Sequence, residues 1–173
     1  MKNIVLIGFM GTGKTSVGRL LAARLGRAFY DIDKKLEELY GMSIPAMFAV
    51  HGEAWFRAQE KEAVRDAAAR SGLVIATGGG VVKDAENMVA LRRNGLIVAL
   101  TADVDTILAR TAAQGQRPVL DRADMGDRRA AVAALLAERK DLYRDADMTV
   151  GTSRRSPLEV AQEILQLVRI WGK

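Results

Sequence analysis

The chain contains no cysteine in 173 residues. A disulfide framework, a thiolate zinc site and a catalytic thiol are therefore excluded. It has one histidine, His51, so no cluster of imidazoles can hold a metal. His51 itself reads as a surface residue rather than a catalytic one. Aromatic residues make up only 5% of the chain, which argues against a stacking platform for single-stranded nucleic acid. No apolar run reaches the ~18 residues that a membrane span needs. The opening MKNIVLIGF runs into a polar loop rather than a small-residue cleavage site, so a signal peptide is not expected and a cytoplasmic protein is. Charge of one sign is also scarce: 26 basic residues against 21 acidic give +5. That excess suits a small polyanionic ligand as well as a nucleic acid. Lys61, Arg65, Arg92, Arg93, Arg128 and Arg129 lie among acids on separate helical patterns, and they read as solvated faces rather than one stripe. No exposed apolar stripe is evident, so a monomer is expected.

What is present is ordinary globular material, 49% hydrophobic and 27% charged. The length fits one domain over residues 1–173. Short apolar runs alternate with helical patterns. Strands are predicted at 3–7, 28–30, 73–76, 96–100 and, weakly, 148–150. Helices are predicted at 17–25, 34–41, 44–50, 53–71, 85–94, 104–113, 127–144 and 157–171. Strands that are apolar throughout, joined by helices, indicate a parallel sheet covered on both faces, a three-layer α/β/α domain. Two stretches interrupt the alternation. Residues at about 33–60 insert helical pieces between the second and third strands. Residues at about 112–125 are polar and carry Arg117 and Pro118, and they read as a lid.

Gly8-Phe9-Met10-Gly11-Thr12-Gly13-Lys14-Thr15 fits G-x-x-x-x-G-K-[ST], between a predicted strand and a predicted helix. Glycines there let successive backbone N–H groups turn toward phosphate oxygens, and the helix N-terminus adds positive charge. Lys14 is placed to reach the outer phosphates, and the Thr15 hydroxyl to ligate Mg²⁺. Gly11, Thr12, Gly13 and Ser16 complete the nucleotide-binding set. No guanine-reading NKxD element is present, which argues against a GTPase. The third strand runs into Thr77-Gly78-Gly79-Gly80, which leaves room for a ligand against the backbone. Asp31 and Asp33 follow the second strand at its C-terminal end, the edge where doubly wound sheets bind ligands.

The P-loop, Asp31-x-Asp33, Gly52-Glu53 with Phe56-Arg57 and Glu60, the triple glycine, Arg117-Pro118 and Arg139 together resemble the shikimate kinase family. The blocks run from about residue 4 to about residue 157. The resemblance implies the nucleoside monophosphate kinase-like fold with strand order 2-3-1-4-5. It also implies ATP-dependent phosphorylation of the 3-hydroxyl of shikimate, with Mg²⁺ as cofactor, on the route to chorismate. By resemblance, Arg57 and Arg139 bind the carboxylate of the acceptor. Planar bidentate donors suit that task, and Glu60 lies on Arg57's helix face to orient it. Asp33 matches the residue that binds the acceptor hydroxyls and takes a proton. Asp31 matches one that holds a metal-bound water. Gly78, Gly79 and Gly80 line the acceptor site, and Phe48 and Phe56 are its apolar walls. Arg117 matches the lid arginine that reaches the γ-phosphate on closure. Arg110 and Arg155 match positions beside the adenine, with Arg154 a neighbouring candidate. Lys14-Thr15-Ser16 replaces the commoner Lys-Ser-Thr and keeps a hydroxyl at the metal position. The competing readings are a gluconate kinase-like enzyme of the same fold and a non-catalytic nucleotide-dependent regulatory module.

Overall fold

The computed structural model describes residues 2–112 and 128–171. The chain begins with β1 (Asn3–Gly8), whose six residues are all buried. The P-loop leads from it to α1 (Lys14–Leu25). Then come β2 (Phe29–Asp31), α2 (Ile32–Tyr40), α3 (Ile44–His51) and α4 (Glu53–Ala69). After β3 (Val74–Ala76), a 3-10 turn over Val81–Lys83 precedes α5 (Ala85–Arg93). β4 (Gly95–Thr101), α6 (Val104–Ala112) and α7 (Arg128–Arg139) follow. The chain closes with β5 (Met148–Gly151) and α8 (Pro157–Trp171).

The five strands form one parallel sheet in the order β2-β3-β1-β4-β5. Side chains alternate across it, and the two faces have separate cores. Val5, Ile7, Ile75, Ile97 and Ala99 pack with Leu36, Met47, Phe56 and Val64, beneath α2–α5. Ile4, Leu6, Val74, Val98 and Leu100 face the other way, against Val17, Leu21, Val160 and Ile164 of α1 and α8. Continuous apolar strands are what such double coverage requires. A third, smaller cluster sets Phe9 of the P-loop against Ile107 of α6 and Val132 of α7. Among the described residues, no helix is long and apolar enough to cross a membrane.

The helical insertion comprises α2, α3 and the start of α4. Side-chain caps define two of these starts. Asp31 accepts from the Lys34 N–H at the head of α2, and Ser43 from the Ala46 N–H at the head of α3. At the outer end of the insertion, His51 stacks on Trp55 with ring centroids 4.1 Å apart. One predicted element is shorter than expected. The α-helical part of 127–144 stops at Arg139, and Lys140–Tyr143 tightens into a 3-10 turn. Helices commonly tighten this way at their ends, and here the change of winding follows directly after the buried Arg139.

Candidate active site

The site lies along the C-terminal edge of the sheet, as the P-loop position demands. Gly8 closes β1 with φ +150°, and a Cβ there would stand 2.4 Å from the Leu100 carbonyl oxygen. Only glycine lets the loop leave the sheet this close to β4. Gly13 caps α1 in the left-handed region at φ 94°. Within the loop, the Thr12 hydroxyl donates to the Phe9 carbonyl at 2.8 Å, so that side chain braces the turn. Lys14 folds over the loop, its Nζ 2.7 Å from the Gly8 carbonyl and 2.8 Å from the Phe9 carbonyl. Thr15 Oγ1 donates to Asp31 Oδ2 at 2.8 Å. The two metal-site candidates, one at the head of α1 and one at the head of α2, are thus adjacent.

Three adjoining clefts make one trough. The first is lined by every acceptor-side residue named from sequence: Asp33, Phe48, Phe56, Arg57, Glu60, Gly78, Gly79, Gly80 and Arg139. Met10 and Ile44 join them. The second holds Gly11, Gly13, Lys14, Thr15, Ser16 and Asp31, and shares Met10, Asp33, Ile44 and Gly79 with the first. The third holds Arg110, Thr152 and Arg155 with Gly11, Thr12, Gly13 and Ser16. Asp33 therefore stands where the first cleft meets the second, the candidate acceptor and phosphate clefts. Arg155, rather than the neighbouring Arg154, lines the third cleft; Arg154 is exposed in a left-handed conformation, φ 56°. Arg117 lies outside the described residues, as does all but the first residue of the sequence-predicted lid.

The acceptor cleft is built around two arginines held in different ways. Arg57 Nη1 donates to Glu60 Oε2 at 2.7 Å, and its guanidinium lies 5.9 Å and 5.4 Å from the ring centres of Phe48 and Phe56. Glu60 is only 2% exposed. Burial raises its pKa, and the nearby Arg57 charge and hydrogen bond pull part of that rise back. Arg139 is also 2% exposed. Its Nη1 donates to the Gly79 carbonyl at 3.0 Å, and its guanidinium lies 5.2 Å from the Phe9 ring centre. Among the described residues, no carboxylate comes within ion-pair distance of Arg139. A buried cation without a counter-charge is costly, and it marks a place for an anion.

The triple glycine is explained by space. A Cβ at Gly80 would sit 2.4 Å from Arg57 Nη1, and one at Gly78 would sit 2.6 Å from Asp33 Oδ1 and 3.0 Å from Glu60 Oε1. Those two glycines make room for the polar side chains that line the first cleft. Gly79 supplies the carbonyl that holds Arg139. His51 lines none of the three clefts.

The sequence reading missed several cleft residues. Met10 occupies a variable position of the P-loop motif, and Ile44 and Pro45 look like core and helix-start residues. Thr152 carried no motif at all. Its signal was available only in three dimensions, as the partner of Arg110.

A parallel five-stranded sheet in this order, with a P-loop at the end of its central strand and a helical insertion over an adjoining cleft, defines a P-loop kinase of the nucleoside monophosphate kinase-like class. The family model for shikimate kinase matches residues 10–169. The chain is 44% identical to a shikimate kinase of Geobacter metallireducens over 164 residues, covering 95% of this chain and 90% of that one. It superposes on a shikimate kinase from Acinetobacter baumannii in complex with shikimate with a TM-score of 0.90 at 39% identity, covering 97% of this chain and 93% of that one. A gluconokinase from Sinorhizobium meliloti shares the fold alone, at 18% identity and a TM-score of 0.59, over 98% of this chain and 93% of that one. The chain belongs to the shikimate kinase family. It is an ATP-dependent kinase rather than a regulatory module.

Proposed function

We propose that this chain transfers the γ-phosphoryl group of ATP to the 3-hydroxyl of shikimate, giving shikimate 3-phosphate and ADP. The observation that carries the reading is Arg139, buried without a carboxylate partner among the described residues, in one cleft with Arg57 and beside the phosphate cleft. An acceptor that is a small carboxylic acid supplies the missing charge. Apolar walls from Phe48, Phe56, Met10 and Ile44 cover a carbon ring. Asp33, at the junction of the clefts, accepts the hydrogen bond of the acceptor hydroxyl and directs its oxygen to the γ-phosphorus. The new bond forms between that oxygen and phosphorus. The bond to the ADP oxygen breaks, and the hydroxyl proton passes to Asp33.

Lys14 turns from the loop carbonyls to the outer phosphates when nucleotide binds, beside the N–H groups at the start of α1. Thr15 and Asp31 would hold Mg²⁺, Thr15 directly and Asp31 through water. Their adjacent hard oxygens fit that ion, which keeps several waters and takes phosphate oxygens as its other ligands. Mg²⁺ supplies charge neutralisation on the phosphates. Arg110 and Arg155 flank the base.

The test is ADP release measured side by side with shikimate, gluconate and nucleoside monophosphates. Release that depends on shikimate supports the reading. Release stimulated by another acceptor, or by none, overturns it.

A further inference from the structure

The base-side cleft carries two arginines that are held in different ways. Arg155 pairs with Glu163 at 2.6 Å and donates to the Gly151 carbonyl. Arg110 has no carboxylate partner among the described residues. Its guanidinium donates only to neutral oxygens: Nη1 to the Gly11 carbonyl at 3.1 Å and to Thr152 Oγ1 at 3.0 Å, and Nη2 to the Thr152 carbonyl at 2.8 Å. Neutral acceptors fix the plane of a cation without cancelling its charge.

Thr152 is 2% exposed and follows the edge strand β5. Its hydroxyl donates to the Thr101 carbonyl at 3.1 Å. That bond uses the hydroxyl proton and turns the oxygen lone pairs toward Arg110. One residue thus grips the guanidinium with two atoms and ties it to the end of β4. Through the Gly11 carbonyl, the same guanidinium also reaches the P-loop.

We propose that Thr152 is a positioning residue for the nucleotide: it holds Arg110 flat as the wall against which the base lies. This rests on the reading that Arg110 faces the nucleotide. Thr152→Val removes the hydroxyl and keeps the shape. The Thr101 carbonyl still accepts from the Thr152 N–H at 2.8 Å, so the sheet edge keeps its bond. Arg110 keeps two acceptors but loses the one that locks its rotation.

Calorimetric titration with ATP and with inorganic tripolyphosphate, each with Mg²⁺, separates the base-side effect from the phosphate cradle. Thr152→Val should weaken ATP about three- to tenfold, the loss expected for one hydrogen bond of ordinary net strength, since Arg110 keeps its other two acceptors. Tripolyphosphate affinity and the KM for shikimate should stay within about twofold, because the Arg110 bond to the Gly11 carbonyl of the phosphate loop is kept and the acceptor cleft does not include Arg110. Thr152→Ser should restore ATP affinity. The double variant with Arg110→Ala should bind ATP no worse than Arg110→Ala alone. Parent-like ATP affinity in Thr152→Val, with Arg110→Ala impaired, would overturn the proposal and leave the base-side reading standing. Equal loss for ATP and tripolyphosphate would also overturn it, by making Thr152 a prop of the loop. If Arg110→Ala bound ATP like the parent, the base-side reading itself would fall, and this proposal with it. Should Thr152→Val not fold, Arg110→Lys tests the same grip by keeping the charge and losing the fork, and unchanged ATP affinity there would overturn the proposal.

Discussion

Glu60 shows what the acceptor cleft costs the protein. Its folded pKa is raised above the unfolded value, chiefly by burial. A carboxyl raised in this way contributes its full stability below the ordinary carboxylate range. That contribution is lost as pH rises through the folded value, so at neutral pH the charged form is a net cost. What Glu60 supplies in return is a fixed partner for the Arg57 guanidinium in the cleft wall. Glu60→Gln should therefore gain in melting temperature relative to the parent, and the gain should be larger at pH 7 than at pH 4. The KM for shikimate should rise about three- to tenfold in the same variant, since a charge-assisted bond becomes a neutral one. Thermal melts at the two pH values and acceptor kinetics check both halves. Gly80 is the complementary case. The three atoms nearest to a Cβ there all belong to the end of the flexible Arg57 side chain. Gly80→Ala should leave the melting temperature nearly unchanged while displacing Arg57 and raising the KM for shikimate, with the KM for ATP little altered. Arg57→Lys should show the same split, because an ammonium lacks the planar fork.

At the scale of elements, the strands were the most legible part of the chain. Runs such as Asn3–Gly8 are apolar at successive positions because both faces of the sheet are covered, and that pattern is visible without coordinates. The P-loop was legible because its glycines and Lys14 are fixed by phosphate geometry. The residues that line the first cleft were legible as a set: Asp33 in the first turn of α2, Arg57 and Glu60 a turn apart on α4, and the glycines after β3. Their spacing follows from elements that meet at one sheet edge. What was not legible shares a physical cause. Phe9, Met10 and Ile44 contribute through apolar contact, and apolar contact has no motif. Thr152 acts through a bond to a residue 42 positions away. The early end of α7 at Arg139 was hidden because nothing local breaks the helix there. A prediction at this scale contrasts two glycines. Gly8→Ala drives a Cβ against the Leu100 carbonyl oxygen, which is backbone and cannot move aside. It should destabilise the fold by about 1–3 kcal/mol or more, unlike Gly80→Ala. Denaturant unfolding of the two variants side by side checks the contrast.

For the whole molecule, the three clefts adjoin along the sheet edge, and Asp33 lines both the first and the second. Charge is distributed along them: Lys14 lines the second cleft, and Arg139 and Arg57 line the first. Lys14→Ala should lower kcat by on the order of 10²–10³, the loss typical of one preorganised electrostatic group, and leave acceptor binding nearly intact. Single-turnover measurements with saturating shikimate check it. The central claim is that the buried charge of Arg139 is completed by the carboxylate of the acceptor. The direct measurement is ADP release with shikimate and with a shikimate analogue whose carboxylate is replaced by a neutral carboxamide. The account predicts turnover with shikimate and a loss of at least about 10²-fold in kcat/KM with the amide, because removing one partner leaves a buried charge unpaired. Equal turnover of the two compounds would contradict it.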